Sequence, residues 1–157
     1  IKDTNFGLDP EAAHQVLHSG AAVTLVPMDV TTQTLLTQQD LTRLTAVDHP
    51  LADFVRDTLR PWIAYSMQTR QLAGCWIHDA LVVAWLLNQR VASGIDYRVD
   101  IELRPGATRG KSWRYRQPLR LSVGVPEQCG ASVHVLHHVD NTLLLSILEQ
   151  AFRRLIS

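Results

Sequence analysis

Cysteine is nearly missing from this sequence: there are two, Cys75 and Cys129, in 157 residues. They have neither C-x-x-C spacing nor the density of a secreted disulfide scaffold, so a reducing, cytoplasmic location is expected. Net charge is missing too. The 15 Lys and Arg balance 15 Asp and Glu, and the pI lies near 7.2. That balance excludes a basic nucleic-acid arm or an acidic solvating tail, so nucleic acid is not an expected partner. No run of about 18 apolar residues occurs, which excludes a helical membrane span on the sequence pattern. There is no internal repeat and no low-complexity segment. No G-x-G-x-x-G follows a predicted strand, so a nucleotide-dependent oxidoreductase would lack its phosphate-binding turn. The opening residues Ile1-Lys2-Asp3-Thr4 hold no initiator Met and no basic-then-apolar signal region. They are expected to belong to a fragment, a processed product or one half of a nicked protein.

What is present suits a single core. With 46% apolar and 19% charged residues, a chain this long can bury roughly 70% of its unfolded surface without a disulfide or metal staple. Asp9-Pro10-Glu11 predicts a capped helix start closed by Gly20. The β-branched run from Ala21 to Val26 predicts a buried strand. Thr37-x-x-Asp40 predicts a capping box and a helix to about Val47. From Pro50, the stripe Leu51, Phe54, Val55, Leu59, Trp62 and Ile63 predicts an amphipathic helix, broken or kinked near Arg60 by Pro61 and closed by Gly74. Ala80 to Leu87 is apolar on every face and is expected to be interior. Alternation predicts strands at Tyr97–Ile101, at Leu119–Val123 and around Val133–Val135. Arg104 to Gln117 is expected to be a long loop or hairpin, and Asp140 to cap a final helix. Helices interleaved with strands in this order make the fold class α/β.

Four groups of residues could carry chemistry. His78-Asp79 stands at the mouth of the all-apolar segment, where a carboxylate could ligate a hard cation and an imidazole could donate a proton; an Asp N-cap beside a half-exposed His explains the pair as well. His134, His137 and His138 resemble a metal cluster only superficially, because on a strand 134 and 138 share one face and 137 takes the other. Asp29, Thr31 and Thr32 follow a strand end, where α/β sheets place ligands, although an Asx turn would use the same residues. Arg109, Lys111, Arg114, Arg116 and Arg120, interleaved with Trp113 and Tyr115, could form a phosphate-and-stacking surface, but a solvated hairpin fits the neutral total charge better.

The blocks Asn5-Phe6-Gly7-Leu8-Asp9-Pro10-Glu11-Ala12-Ala13, Val26-Pro27-Met28-Asp29-Val30-Thr31, Gly74-Cys75-Trp76-Ile77-His78-Asp79-Ala80-Leu81 and Thr108-Arg109-Gly110 resemble, in order and spacing, the inosine-uridine preferring nucleoside hydrolase family. The resemblance covers nearly all 157 residues and corresponds to the C-terminal half of that family's single domain. It implies a Rossmann-like open, mostly parallel sheet with flanking helices, of which residues 1–157 form the C-terminal part. It also implies hydrolysis of the N-glycosidic bond of ribonucleosides by a Ca2+-bound water, through a transition state with oxocarbenium character. By resemblance, Asp79 is the Ca2+ ligand that also contacts ribose hydroxyls, His78 assists the leaving base, and Asn5 binds ribose. Asp3 stands where the family usually has Glu, one methylene shorter for its ribose hydrogen bond. Nucleobase contacts are expected before Gly74, where Trp62, Tyr65, Ser66, Gln68 and Arg70 are available.

The family's Asp-x-Asp-x-x-x-Asp-Asp cluster, which supplies most of the metal's ligands and the water's general base, does not occur in these residues. The resemblance therefore implies an active hydrolase in the intact protein and an inactive chain by itself. The expected partners are a ribonucleoside, a missing N-terminal half or second chain, and a further copy in a homo-oligomer covering exposed apolar faces. The alternative is a non-catalytic ligand-binding or assembly module that retains the hydrolase half-fold.

Overall fold

The computed structural model describes residues 4–116 and 130–155. In chain order come helices α1 (Thr4–Leu8) and α2 (Pro10–Leu17), strand β1 (Thr24–Leu25), helix α3 (Met28–Thr31), strand β2 (Leu36–Thr37), and helices α4 (Gln38–Leu44) and α5 (Pro50–Arg70). Strand β3 (Gly74–Cys75), helix α6 (His78–Leu87), a 3-10 turn (Gln89–Val91), strands β4 (Ala92–Ile101), β5 (Ser112–Tyr115) and β6 (Ala131–Val139), and helix α7 (Asn141–Leu155) follow. The chain forms two compact units, Ile1–Val26 with Gly94–Leu136, and Pro27–Ser93 with His137–Ser157. The predicted strand Leu119–Val123, together with Asp3, Arg120 and Cys129, lies outside the described residues.

The first unit is organised by a sheet of order β1-β6-β4-β5. Strand β1 runs parallel to β6, with Thr24 opposite His134, and β5 runs antiparallel to β4, with Arg98 opposite Tyr115. Gly94 abuts the Val135 backbone and Gly130 abuts Val99, an inverted order that makes β4 and β6 antiparallel as well. The α/β class with flanking helices is as expected, but the sheet is mixed rather than mostly parallel. A hairpin return from β4 to β5 needs no crossover helix. Alternation along β4 and β6 sends Val99, Ile101, Val133 and Val135 into a core shared with Leu17, while Phe6, Val23 and Leu25 pack on its rim. Asp9 caps α2 by accepting the Ala12 N–H at 2.9 Å. The strand expected over Ala21–Val26 contracts to Thr24–Leu25.

In the hairpin, Trp113 and Tyr115 stack with centroids 5.4 Å apart, and the Arg114 guanidinium lies 5.0 Å from the Tyr97 ring. Arg109 reaches back to α2: its Nη2 contacts both Glu11 carboxylate oxygens at 2.7 Å, and its Nη1 donates to the Leu103 carbonyl. These basic side chains are thus occupied with partners of the same unit, which suits the solvated hairpin.

In the second unit the capping box is present: Asp40 N–H donates to Thr37 Oγ1 at 3.1 Å and Thr37 N–H donates to Asp40 Oδ2 at 3.1 Å. Helix α5 corrects three expectations. It runs unbroken through Pro61 for 21 residues; the missing N–H falls opposite the carbonyl of exposed Asp57, where water can take its place. Its inward face is Ala52, Val55, Leu59, Ile63 and Ser66, whereas Phe54 and Trp62 are exposed. It ends at Gln71, left-handed at φ 55°, not at Gly74. Gly74 answers a different need: a Cβ there would lie 2.2 Å from the Leu36 carbonyl oxygen, so only glycine lets β3 close on β2. The core joins Leu36, Leu41, Ile63 and Cys75. Asn141 at the start of α7 holds Leu35 by both backbone groups, at 2.9 and 3.0 Å, and Asp140 caps the helix through the Leu143 N–H.

Candidate active site

The second unit brings the most distinctive sequence blocks together. The β2–β3 pair, with Thr37 opposite Gly74 and Leu36 opposite Cys75, delivers the chain to the first turn of α6, which begins at His78. Thr34, 1% exposed, is the fastening. Its hydroxyl donates to the Thr31 carbonyl at 2.7 Å and accepts the Ile77 N–H at 3.0 Å. The segment before His78 and the end of α3 are therefore held by one buried hydroxyl with both roles used.

Thr31 Oγ1 lies 2.6 Å from His78 Nδ1. The Thr31 hydroxyl also reaches the Met28 carbonyl at 3.4 Å; with its proton directed there, it accepts from Nδ1–H and leaves Nε2 as the outward nitrogen of His78. The Trp76 ring meets the His78 ring edge-on at 5.8 Å. Asp79 is exposed in the first turn of α6, where a carboxylate suits the positive end of the helix dipole. It does not cap the helix: the cap position is Ile77, without a side-chain bond. Among the described residues Asp79 has no hydrogen-bond or ion-pair partner, so its oxygens are available to a ligand.

A row of flat groups continues from this corner. The Arg70 guanidinium sits 5.2 Å from the Trp76 ring and 5.4 Å from the Trp62 ring, and Trp62 stacks on Tyr65 at 5.4 Å. Of the residues proposed for base contact, Trp62, Tyr65, Gln68 and Arg70 are exposed, while Ser66 is buried with an Oγ that finds no partner. Cys75 is fully buried, and burial pushes its thiol up from the usual range, which makes it a core residue and not a nucleophile.

Asn5 is exposed on α1, in the first unit. His134, His137 and His138 do not form a metal cluster: His134 bonds Asp96 at 2.8 Å, and the group of His, Cys, Asp or Glu with metal-like proximity among the described residues is His14, His18 and Asp100. That trio passes unnoticed in the sequence pattern, although two His at i and i+4 on a capped helix are a legible signal. Thr31 as the partner of His78, 47 positions away, has no local signal.

Calcium takes six to eight oxygens. Among the described residues Asp79 belongs to no group of three or more His, Cys, Asp or Glu side chains close enough to share a metal. These residues alone do not make a calcium site.

Residues 1–146 match the sequence profile of the inosine-uridine preferring nucleoside hydrolase family. The chain is 33% identical over 148 residues to the pyrimidine-specific ribonucleoside hydrolase RihA of Shewanella woodyi, covering 94% of this chain and 45% of that protein. It is 32% identical over 136 residues to the inosine-uridine preferring nucleoside hydrolase of Crithidia fasciculata, covering 86% and 41%. Among solved structures, the purine-preferring ribonucleoside hydrolase from Gardnerella vaginalis superposes with a TM-score of 0.79 at 28% identity, over 98% of this chain and 46% of that one. A plant nucleoside hydrolase shares the fold with a TM-score of 0.83 at 19% identity, over 96% and 47%. The chain thus spans about half the length of the relatives it matches, and it belongs to the inosine-uridine preferring nucleoside hydrolase family.

Proposed function

We propose that these residues are the C-terminal portion of a single nucleoside hydrolase domain, which cleaves ribonucleosides to ribose and free base. The observation that carries this reading is the Thr31–His78 bond beside the Asp79 carboxylate, which has no partner among the described residues. In the hydrolysis, the C1′–N bond breaks, water adds to C1′ and gives up a proton, and the departing base gains one. In its imidazolium form, with Nδ1–H given to Thr31, His78 would deliver a proton from Nε2 to the departing base. Asp79 would bind ribose hydroxyls and, in the intact domain, serve as one ligand of a Ca2+ ion whose other oxygens come from outside these residues. Asn5 and Asp3 would hold the sugar. Trp62, Arg70 and Trp76 offer faces on which a flat base can stack.

The test is free-base release from inosine and uridine, followed by chromatography. In the full-length natural product, His78→Ala should lower kcat by about 10²–10⁴-fold with the fold unchanged, and Asp79→Asn should also weaken nucleoside binding. The 157 residues alone should release no base, since they lack the other carboxylates. Unchanged turnover in both variants would overturn the assignment, and nucleoside binding without base release would favour the non-catalytic module.

A further inference from the structure

We propose that His14, His18 and Asp100, brought together on the first unit by α2 and β4, form a binding site for a borderline divalent transition metal of the Zn2+ class. His14 lies in the last turn of α2 and His18 is its C-cap, and their rings sit 4.1 Å apart at 33°. Asp100 comes from β4, 86 positions further along the chain. Its Oδ1 is 2.7 Å from His14 Nδ1 and its Oδ2 is 3.9 Å from His18 Nε2. In a tetrahedral zinc site with bonds of 2.0–2.1 Å, neighbouring ligand atoms stand about 3.3 Å apart. The two separations use different oxygens of Asp100; taken as one donor atom from each residue, the three lie within 4.8 Å of one another, so the side chains close by at most about 1.5 Å to hold a metal.

The ligand atoms are already oriented by outer partners. The Ile101 N–H donates to Asp100 Oδ1 at 2.8 Å. The His18 Nδ1 lies 3.0 Å from the His14 carbonyl; a carbonyl only accepts, so Nδ1 carries a proton and Nε2 is the ring nitrogen on the Asp100 side. A ring N–H given to a backbone carbonyl is the usual support of a metal-bound imidazole. The trio sits close to the Glu11–Arg109 pair in sequence but uses none of its atoms.

The donor set names the metal class. Two imidazoles and one carboxylate suit Zn2+ and its neighbours, whereas Ca2+ and Mg2+ require oxygen shells. Binding at His14 Nδ1 requires that nitrogen to give up the proton it shares with Asp100, which a neutral ring moves to Nε2 and an imidazolium releases to solvent. Three protein ligands leave a fourth position for water. A bound ion would clamp the C-terminal end of α2 to β4, giving the first unit a metal-dependent stability unrelated to base release.

The experiment is chelator-stripped chain titrated with ZnCl2, with affinity read by competition against a chromogenic chelator and ring-nitrogen shifts read by 15N NMR. The wild type should bind one zinc and shift the ring nitrogens of His14 and His18, leaving those of His134 in place. Outer partners alone are commonly worth about 10–100-fold in affinity, so His18→Gln and Asp100→Asn should each weaken binding by at least about tenfold, while excess CaCl2 should not compete. No zinc retention by the wild type, unmoved His14 and His18 rings, or equal affinity in both variants would overturn the proposal. The NMR reading on the wild type decides the matter even if a variant fails to fold.

Discussion

Glu11 shows how a motif residue can be structural. It belongs to the Asp9-Pro10-Glu11 block, and Arg109 belongs to the Thr108-Arg109-Gly110 block; 98 positions apart, they meet at 2.7 Å. Arg109 holds the Glu11 carboxyl below its ordinary value of 4.5. The folded state therefore binds fewer protons than the unfolded one just below that value. The stabilisation is present above the unfolded pKa and is lost as pH falls through the folded one. Glu11→Gln should flatten part of the acid limb of Tm below about pH 5, and Arg109→Gln should flatten the same part. An acid limb identical to wild type in both variants would sink the pair as a source of pH dependence. Glu102, held near 2 by Arg104, contributes an acid response of the same sign that neither variant removes. Only the family resemblance gives His78 and Asp79 site roles; residue identity alone leaves an ordinary helix start open. Residue identity could not reveal Thr31 as the group orienting His78, because that contact is made by the fold and leaves no local spacing to read.

Helix α5 carries the clearest lesson among the elements. Capping signals are local, so Asp9, Thr37 with Asp40, and Asp140 could all be read from a few neighbouring residues, and all three caps form. Pro61 is local too, yet its expected break does not occur, because what decides the outcome is packing: Ala52 and Ile63 are buried on either side of it. The helix retains a carbonyl without its intrahelical donor. Pro61→Ala would restore that hydrogen bond and remove the ring's clash, against about 0.4–1 kcal/mol of added unfolded-chain entropy. With an interior proline costing about 3 kcal/mol relative to alanine, a net gain of about 2–2.6 kcal/mol is expected, read as a higher urea midpoint at unchanged m-value. A lower midpoint would mean that the proline sets a backbone path the packing requires.

At the scale of the whole molecule, α6 is the element whose placement departs furthest from its composition. Eight consecutive apolar residues, Ala80 to Leu87, read as interior, yet only Leu81 and Ala84 of this helix are buried. Val83 is 58% exposed, Leu86 71% and Leu87 68%. Apolarity on every face reports the environment of the finished assembly, and among the described residues most of this helix is left uncovered. On the proposed reading of these residues as the C-terminal portion of a domain, the rest of that domain would cover this face, with self-association of the chain where that cover is lacking. Sedimentation should show concentration-dependent association of the 157 residues, and Leu86→Lys with Leu87→Lys should reduce it, since both side chains are solvent-facing and their replacement leaves the Leu81 and Ala84 contacts in place. In the full-length product the same double substitution should instead destabilise, because two charges would enter a buried face without partners. Opposite signs in the two proteins identify the face as an internal surface of the complete domain. A chain that stays monomeric at high concentration, or a full-length product indifferent to the lysines, would show that α6 is a solvent-facing helix after all.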